Sequence, residues 1–351
     1  VGMWRRTPVF HMRGAALRVG GVGVGWRGFA TLGNGRAEKR KVVNENGSLG
    51  SDGERVAKVL AFQGICSRRM GEHLIEKGMV QVDGSLVKEP GTKVHPFAAR
   101  FTIDGHKVQG LYETPQQWWP KLWVHHKLRN VLVTHHGGDD RGRMTLFGNL
   151  KRMLIPAFGD AVEALSNSYL VERRIAKAKN PPLAMELEIL RRMRFAAGSH
   201  IVSVGRLDFT SEGLLLVTND GGLARHLELP ASKYERKYHV KIFGSVTPAR
   251  LKALRHGVKV NGVLYQPVEI DVLREGRKNT TVDVTLKEGK NRELRKMFEH
   301  MGWQVHSLKR LTYGPYELGN LEKGALLSVP LKDSLEVWAN TEKERLVQAY
   351  G

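Results

Sequence analysis

Cysteine is almost absent: Cys66 stands alone in 351 residues. One thiol closes no intrachain disulfide and builds no thiolate zinc site, so the chain is expected to occupy a reducing compartment and to fold on packing rather than cross-links. Long apolar runs are missing too. No stretch approaches the roughly 20 apolar residues that span a bilayer, and no membrane insertion is expected. Acids are scarce beside bases: 35 Asp and Glu face 56 Lys and Arg, a formal net charge of +21. That imbalance is the footprint of a polyanion binder, with nucleic acid ahead of an anionic membrane. The remaining proportions, 41% hydrophobic and 26% charged, leave enough apolar material for a packed core. The length suits two domains of roughly 100 to 200 residues plus tails.

The shortage of acids is most extreme at the front. Between residues 1 and 43 Glu38 is the sole acid, against Arg5, Arg6, Arg13, Arg18, Arg27, Arg36, Lys39, Arg40 and Lys41. Trp4, Phe10, Leu17, Trp26 and Phe29 are scattered and form no continuous apolar core. Residues 1–53 therefore read as a basic mitochondrial transit peptide, with a disordered RNA-touching arm as the alternative. The glycines from Gly20 to Gly25 follow no strand and open no helix, which argues against a dinucleotide loop.

Residues 54–108 have the pattern of a small module. Val56, Val59 and Leu60 recur at helical spacing up to Gly64. Ser67 then offers a cap for a second helix that carries Leu74 and Ile75 and stops at Gly78. Val80 and Val82 alternate up to Asp83-Gly84, a hairpin signal, and a second one, Asp104-Gly105, follows Phe101 and Ile103. Arg68 and Arg69 open the second helix with Lys77 nearby. By themselves these cations fit either a solvated face or a phosphate-binding one.

A linker at 109–118 leads to a larger domain at 119–335, followed by a tail at 336–351. Lys121 to Val133 reads as strand, turn, strand; Val202 to Val204 leads into Gly205-Arg206-Leu207-Asp208; Leu214 to Val217 ends at Asn219-Asp220-Gly221. Tyr238, Val240 and Ile242 share one strand face, and Val282, Val284 and Leu286 another. Asn291 is placed to cap a helix that turns Leu294, Phe298 and Met301 inward, with Arg292 and Arg295 on one of its faces. The order of elements is α+β without βαβ regularity. Read singly, Asp208 fits a turn-forming role, Tyr238 a core strand position, and Arg295 a helix pair with Glu299.

Together these segments resemble a known family. Arg55 to Leu60, Gly64 to Arg69 and Ile75 to Gly84 are similar to the S4 RNA-binding domain, although Ala57 replaces the acid common there. Gly205-Arg206-Leu207-Asp208-Phe209-Thr210-Ser211-Glu212-Gly213 through Gly221 is similar to the catalytic-aspartate motif of the S4-containing bacterial ribosomal RNA pseudouridine synthases. Lys233 to Val240 resembles that family's tyrosine segment and Glu288 to Met297 its basic segment, with Leu308 to Gly324 continuing the match.

The resemblance implies a small S4 module followed by a catalytic domain with a mixed, largely antiparallel sheet. It implies isomerisation of a uridine in ribosomal RNA, with Asp208 acting on the ribose and Arg295, or less favourably Arg292, paired with its carboxylate. Tyr238 would stack on the detached base. Arg68, Arg69, Lys77, Lys127, Arg206 and Lys290 are the expected RNA contacts. No cofactor and no metal is implied; His125-His126 and His135-His136 are read as surface or RNA-contact histidines rather than ligands.

Two departures stand out. Lys127-Leu128-Arg129-Asn130 replaces the family's Lys-Pro-x-Gly turn, with Asn130 able to take the left-handed position. An insertion at about 148–200 precedes the catalytic strand, with room to embrace a partner or to be a decorated loop. The expected partners are ribosomal RNA and a mitochondrial ribosomal assembly particle with its proteins. The competing reading is a noncatalytic RNA-binding assembly factor of the mitochondrial ribosome.

Overall fold

The computed structural model describes residues 53–134, 143–147, 150, 201–276 and 278–351. The expected leader, His135-His136 and, apart from Leu150, the insertion lie outside the described residues.

The N-terminal module forms as its pattern predicts. Helix α1 (Val56–Phe62) and helix α2 (Arg68–Glu76) face each other across Val59, Leu60, Met70 and Leu74, and Ser67 Oγ caps α2 by accepting from the Met70 amide at 3.2 Å. The helices touch at Ala57 and Gly71, where an added Cβ on Gly71 would lie 3.1 Å from Ala57 Cα. A small residue at 57 is thus what the crossing requires, and the departure at that position has a packing reason. Cys66 is buried in this core. Strand β1 (Glu54–Arg55) pairs with β4 (Lys93–Val94). Strands β2 (Val80–Val82), β3 (Ser85–Leu86), β5 (Phe101–Ile103) and β6 (His106–Val108) form an antiparallel sheet in the order β3-β2-β5-β6. Its two hairpin turns hold Asp83-Gly84 at φ 50° and 85° and Asp104-Gly105 at φ 50° and 77°, as two-residue turns with both central residues left-handed require.

The larger domain is built on one mixed sheet. Its strands are β7 (Leu122–Lys127), β8 (Val202–Ser203), β9 (Glu212–Thr218), β10 (Arg236–Phe243), β13 (Glu269–Glu275), β14 (Asn279–Leu286), β15 (Gln304–Tyr313), β16 (Tyr316–Glu317) and β17 (Leu326–Val329). The path runs β13-β14-β10-β15-β9-β7-β17, antiparallel throughout except for the parallel contact between β15 and β9; β16 adds to β15 and β8 to β9. A ribbon of β11 (Val258–Val260) and β12 (Val263–Tyr265) stands beside it. Helix α3 (Gly221–Glu228) packs on one face of β7 and β9, while α4 (Pro248–His256) and α5 (Glu293–His300) cover the β10–β14 half.

Two expectations, the strand after residue 130 and the exposed histidines, are corrected. The strand after the turn at residue 130 does not form; only an isolated bridge joins Leu132 to Thr145. The tail at 336–351 is a helix, α6 (Ser334–Tyr350), that buries Leu335, Ala339 and Leu346 and sets the Tyr350 ring 5.2 Å from His95 in the S4 module. Within the linker at 109–118, Gln63 holds both backbone groups of Tyr112, Asn219 donates to the Tyr112 hydroxyl at 3.3 Å, and Trp118 is 1% exposed with its Nε1 donating to Asp220. His125 and His126 are not surface groups. They sit on β7, a central strand covered on both faces, and their Nδ1 atoms bond the Ala325 and Leu321 carbonyls at 3.0 and 2.8 Å. Burial pushes His125 down to about 4, so it is neutral.

Candidate active site

Two residues past strand β8 lies Gly205 at φ 65°, and the chain then loops through Arg206 and Asp208 before entering β9. The Gly205 amide donates to Glu228 at the end of α3, at 2.7 Å, which pins the start of the loop. Gly213, at φ 108°, allows its far end to meet β15: a Cβ there would fall 2.3 Å from the Arg310 carbonyl oxygen. No other residue type fits that crossing. Loop 205–211 is therefore fixed by its glycines on a rigid sheet, where a carboxylate can project into a cleft.

The Asp208 side chain is 30% exposed and meets two guanidinium groups. Arg295 Nε lies 3.5 Å and Arg292 Nη1 3.6 Å from the same oxygen, Oδ2. The two cations differ. Arg295 comes from α5, is 13% exposed, and also donates to Ser211 Oγ at 3.4 Å; Arg292 is 51% exposed. Burial lowers Arg295 from its ordinary value while the Asp208 carboxylate opposes that shift. Arg292 does not share a helix face with Arg295, as expected from sequence. It precedes α5 in the left-handed conformation, φ 53°, and it rather than Asn291 is the N-cap, with no side-chain cap hydrogen bond. The turn is instead closed by Glu293, whose Oε2 accepts from the Lys290 amide at 2.9 Å.

Tyr238 follows Arg236 on β10, paired with Val284 of β14 and Arg310 of β15. Its ring is half-buried between two core clusters and forms a wall of a cavity of about 410 Å³ that Asp208, Arg295, Arg292, Arg206 and Lys290 also line. Six of the expected site residues thus come together. Lys290 is exposed at the rim; its ammonium pairs with Glu288 and donates to the Leu264 carbonyl. Arg68, Arg69 and Lys77 are exposed on the S4 module, outside this cleft.

Lys127, expected to contact RNA, is fully buried. Its Nζ donates to the main-chain oxygens of Leu128, Asp208 and Ser211 at 2.9, 3.1 and 2.9 Å, so it supports the Asp208 loop from beneath. Desolvation lowers it to about 8.

Two pocket residues escaped the sequence reading. Arg310 is 3% exposed, donates through Nε to the Leu214 carbonyl at 2.7 Å, and leaves Nη2 buried with no hydrogen-bond partner among the described residues. Arg236 is 5% exposed and donates to the Tyr313 hydroxyl at 2.7 Å. The signal was present. Period-two alternation puts Arg310 with Leu308, and Arg236 with Tyr238, Val240 and Ile242, on inward faces where an arginine needs a reason to be.

Residues 121–300 match the RNA pseudouridylate synthase family and residues 54–98 match the S4 domain. An uncharacterized RNA pseudouridine synthase of Rickettsia prowazekii is 32% identical over 270 residues, 77% of this chain and 92% of that protein. The ribosomal large subunit pseudouridine synthase B of Pasteurella multocida is 32% identical over 268 residues, 76% of this chain and 64% of that protein. A solved pseudouridylate synthase structure aligns at a TM-score of 0.45 and 19% identity, over 84% of this chain and 99% of that one.

Proposed function

The chain belongs to the RNA pseudouridylate synthase family, with an S4 domain ahead of the catalytic one, and on that premise we propose that it converts a uridine of ribosomal RNA to pseudouridine with Asp208 as the group acting on the ribose. The observation that carries this reading is the single Asp208 oxygen held between Arg292 and Arg295 at a cavity walled by Tyr238.

The chemistry suits these groups. The target nucleotide leaves its stack at a cost of a few kcal/mol, which RNA contacts offset. Asp208, ionised between two cations, attacks the anomeric carbon or removes the neighbouring proton, and the bond from that carbon to N1 breaks. Uracil turns against the Tyr238 ring and rejoins through C5. The C5 hydrogen leaves to solvent and N1 ends protonated, so the product is an isomer. Arg206 and Lys290 at the rim, with Arg68 and Arg69 on α2, supply the positive surface that draws the phosphates in.

Two finer readings belong to the same proposal. The Arg-rich, acid-poor residues 1–53 support a mitochondrial location, tested by fusing them to a reporter; a cytosolic reporter defeats it. The net charge of +21 and a separate S4 module support a second role in assembling the ribosomal particle. The Asp208→Asn chain should then restore particle assembly in depleted cells, read by sedimentation, while the modification stays absent. Mapping pseudouridines across mitochondrial ribosomal RNA with and without the protein tests the main reading: one site should disappear on depletion, and an unchanged map refutes it.

A further inference from the structure

The turn Glu288–Arg292 leads into α5 and, with Glu293, places two carboxyl groups on one wall of the cleft. Their donors can be assigned one by one. Glu288 Oε1 accepts from the Gln266 amide at 2.8 Å and its Oε2 takes the Lys290 ammonium, so both oxygens of Glu288 are satisfied as an anion. Glu293 Oε2 accepts from the Lys290 amide at 2.9 Å, whereas Oε1 is buried and has no donor among the described residues. Glu293 is 4% exposed, and Lys290 brings the two carboxyls together, its amide on Glu293 and its ammonium on Glu288. An ionised Glu293 would leave one oxygen desolvated and unpaired beside a like charge. A proton on Oε1 resolves both difficulties, because the orphan acceptor becomes a donor to an anion already in place.

We propose that Glu293 is a positioning residue that works as a neutral carboxylic acid, donating its hydroxyl to Glu288, and that this shared proton locks the turn which sets Arg292 and Arg295 against Asp208. The left-handed backbone of Arg292 lies between the Lys290 amide and the helix start, so the Glu293 side chain closes the turn around it. The groups that face Glu293 are Glu288 and Lys290. The turn and α5 add Arg292 and Arg295. Across the cleft stand Asp208 from its loop, Glu228 from α3, Arg236 from β10 and Arg310 from β15. Burial and the Glu288 carboxyl push Glu293 up to about 8. Below that value the proton is held and the turn stays closed. As pH rises through it, two anions confront each other and the closed turn is lost.

The inference rests on the pseudouridine synthase reading of this cleft, and its test separates the two. Single-turnover isomerisation of ribosomal RNA is followed between roughly pH 6 and pH 10 for the full chain, Glu293→Gln and Glu293→Ala. The wild-type rate should fall by about tenfold per pH unit above about 8. Glutamine offers the same acceptor and donor and cannot ionise, so Glu293→Gln should restore most of what Glu293→Ala loses in kcat and should lack that alkaline fall. Infrared spectra, independent of activity, should show a protonated carboxyl band that titrates near 8 and is missing in Glu293→Gln. An alkaline fall that persists in Glu293→Gln assigns the titration to another group, such as Lys127, and overturns the proposal. So does the lack of the band at neutral pH. If the wild type isomerises no RNA, the functional reading fails and the infrared titration alone decides the proton.

Discussion

The Lys127 ammonium donates to the main-chain oxygen of Asp208 at 3.1 Å, so the central strand grips from beneath the loop whose carboxylate Arg292 and Arg295 grip from above. The buried lysine holds the backbone from which the Asp208 carboxylate projects.

Replacing Lys127 with methionine should therefore cost about 1 to 3 kcal/mol of stability, since the carbonyl oxygens of Leu128, Asp208 and Ser211 each lose a donor. It should lower kcat and leave the salt dependence of RNA binding unchanged. Chemical denaturation and salt titrations check both parts. The pH dependence has a definite sign. Burial lowers Lys127 from 10.5 to about 8, so between these values the unfolded chain binds the extra proton. Stability of the wild type relative to Lys127→Met should rise with pH across that window.

The two arginines on Asp208 should prove unequal. Arg295 is the more buried and is also tied to Ser211, whereas Arg292 is half in solvent. Arg295→Ala should reduce the single-turnover rate by about 100-fold, near 2.7 kcal/mol, and Arg292→Ala by about tenfold. Equal losses would place the two cations in equivalent roles.

On the S4 module, replacing Arg68 and Arg69 with alanine should weaken RNA binding and flatten its salt dependence by roughly 0.7 to 0.9 per phosphate contact removed. The rate at saturating RNA should be unaffected, because neither residue lines the cleft. Titrations at several salt concentrations measure the slope, and an unchanged slope returns both arginines to a solvated surface.

Several local signals are legible in the sequence. Asp83-Gly84, Asp104-Gly105 and Ser67 act within a few residues, and all three do in the structure what their chemistry predicts. The Asp208, Tyr238 and Arg295 segments could be matched as linear motifs and converge on one cavity. What escaped depends on distant packing. His125, His126 and Lys127 read as polar and exposed because nothing in the strand itself reveals that β9 and β17 flank it and that both its faces are covered. Nor does the sequence of residues 336–351 reveal the partners of that segment, including His95 in the S4 module, which lie far away in sequence. Arg292 falls one residue outside the helix, at its N-cap, because a left-handed arginine at a helix start has no sequence signature of its own.

The most direct test concerns Asp208. Ribosomal RNA labelled with tritium at uracil C5 is incubated with the full chain and with Asp208→Asn, which keeps the shape of the side chain and removes its charge. The account predicts tritium release by the wild type and a loss of at least about 1,000-fold, near 4 kcal/mol, in the variant, with RNA affinity and thermal stability preserved. Release by Asp208→Asn within tenfold of the wild-type rate would contradict it.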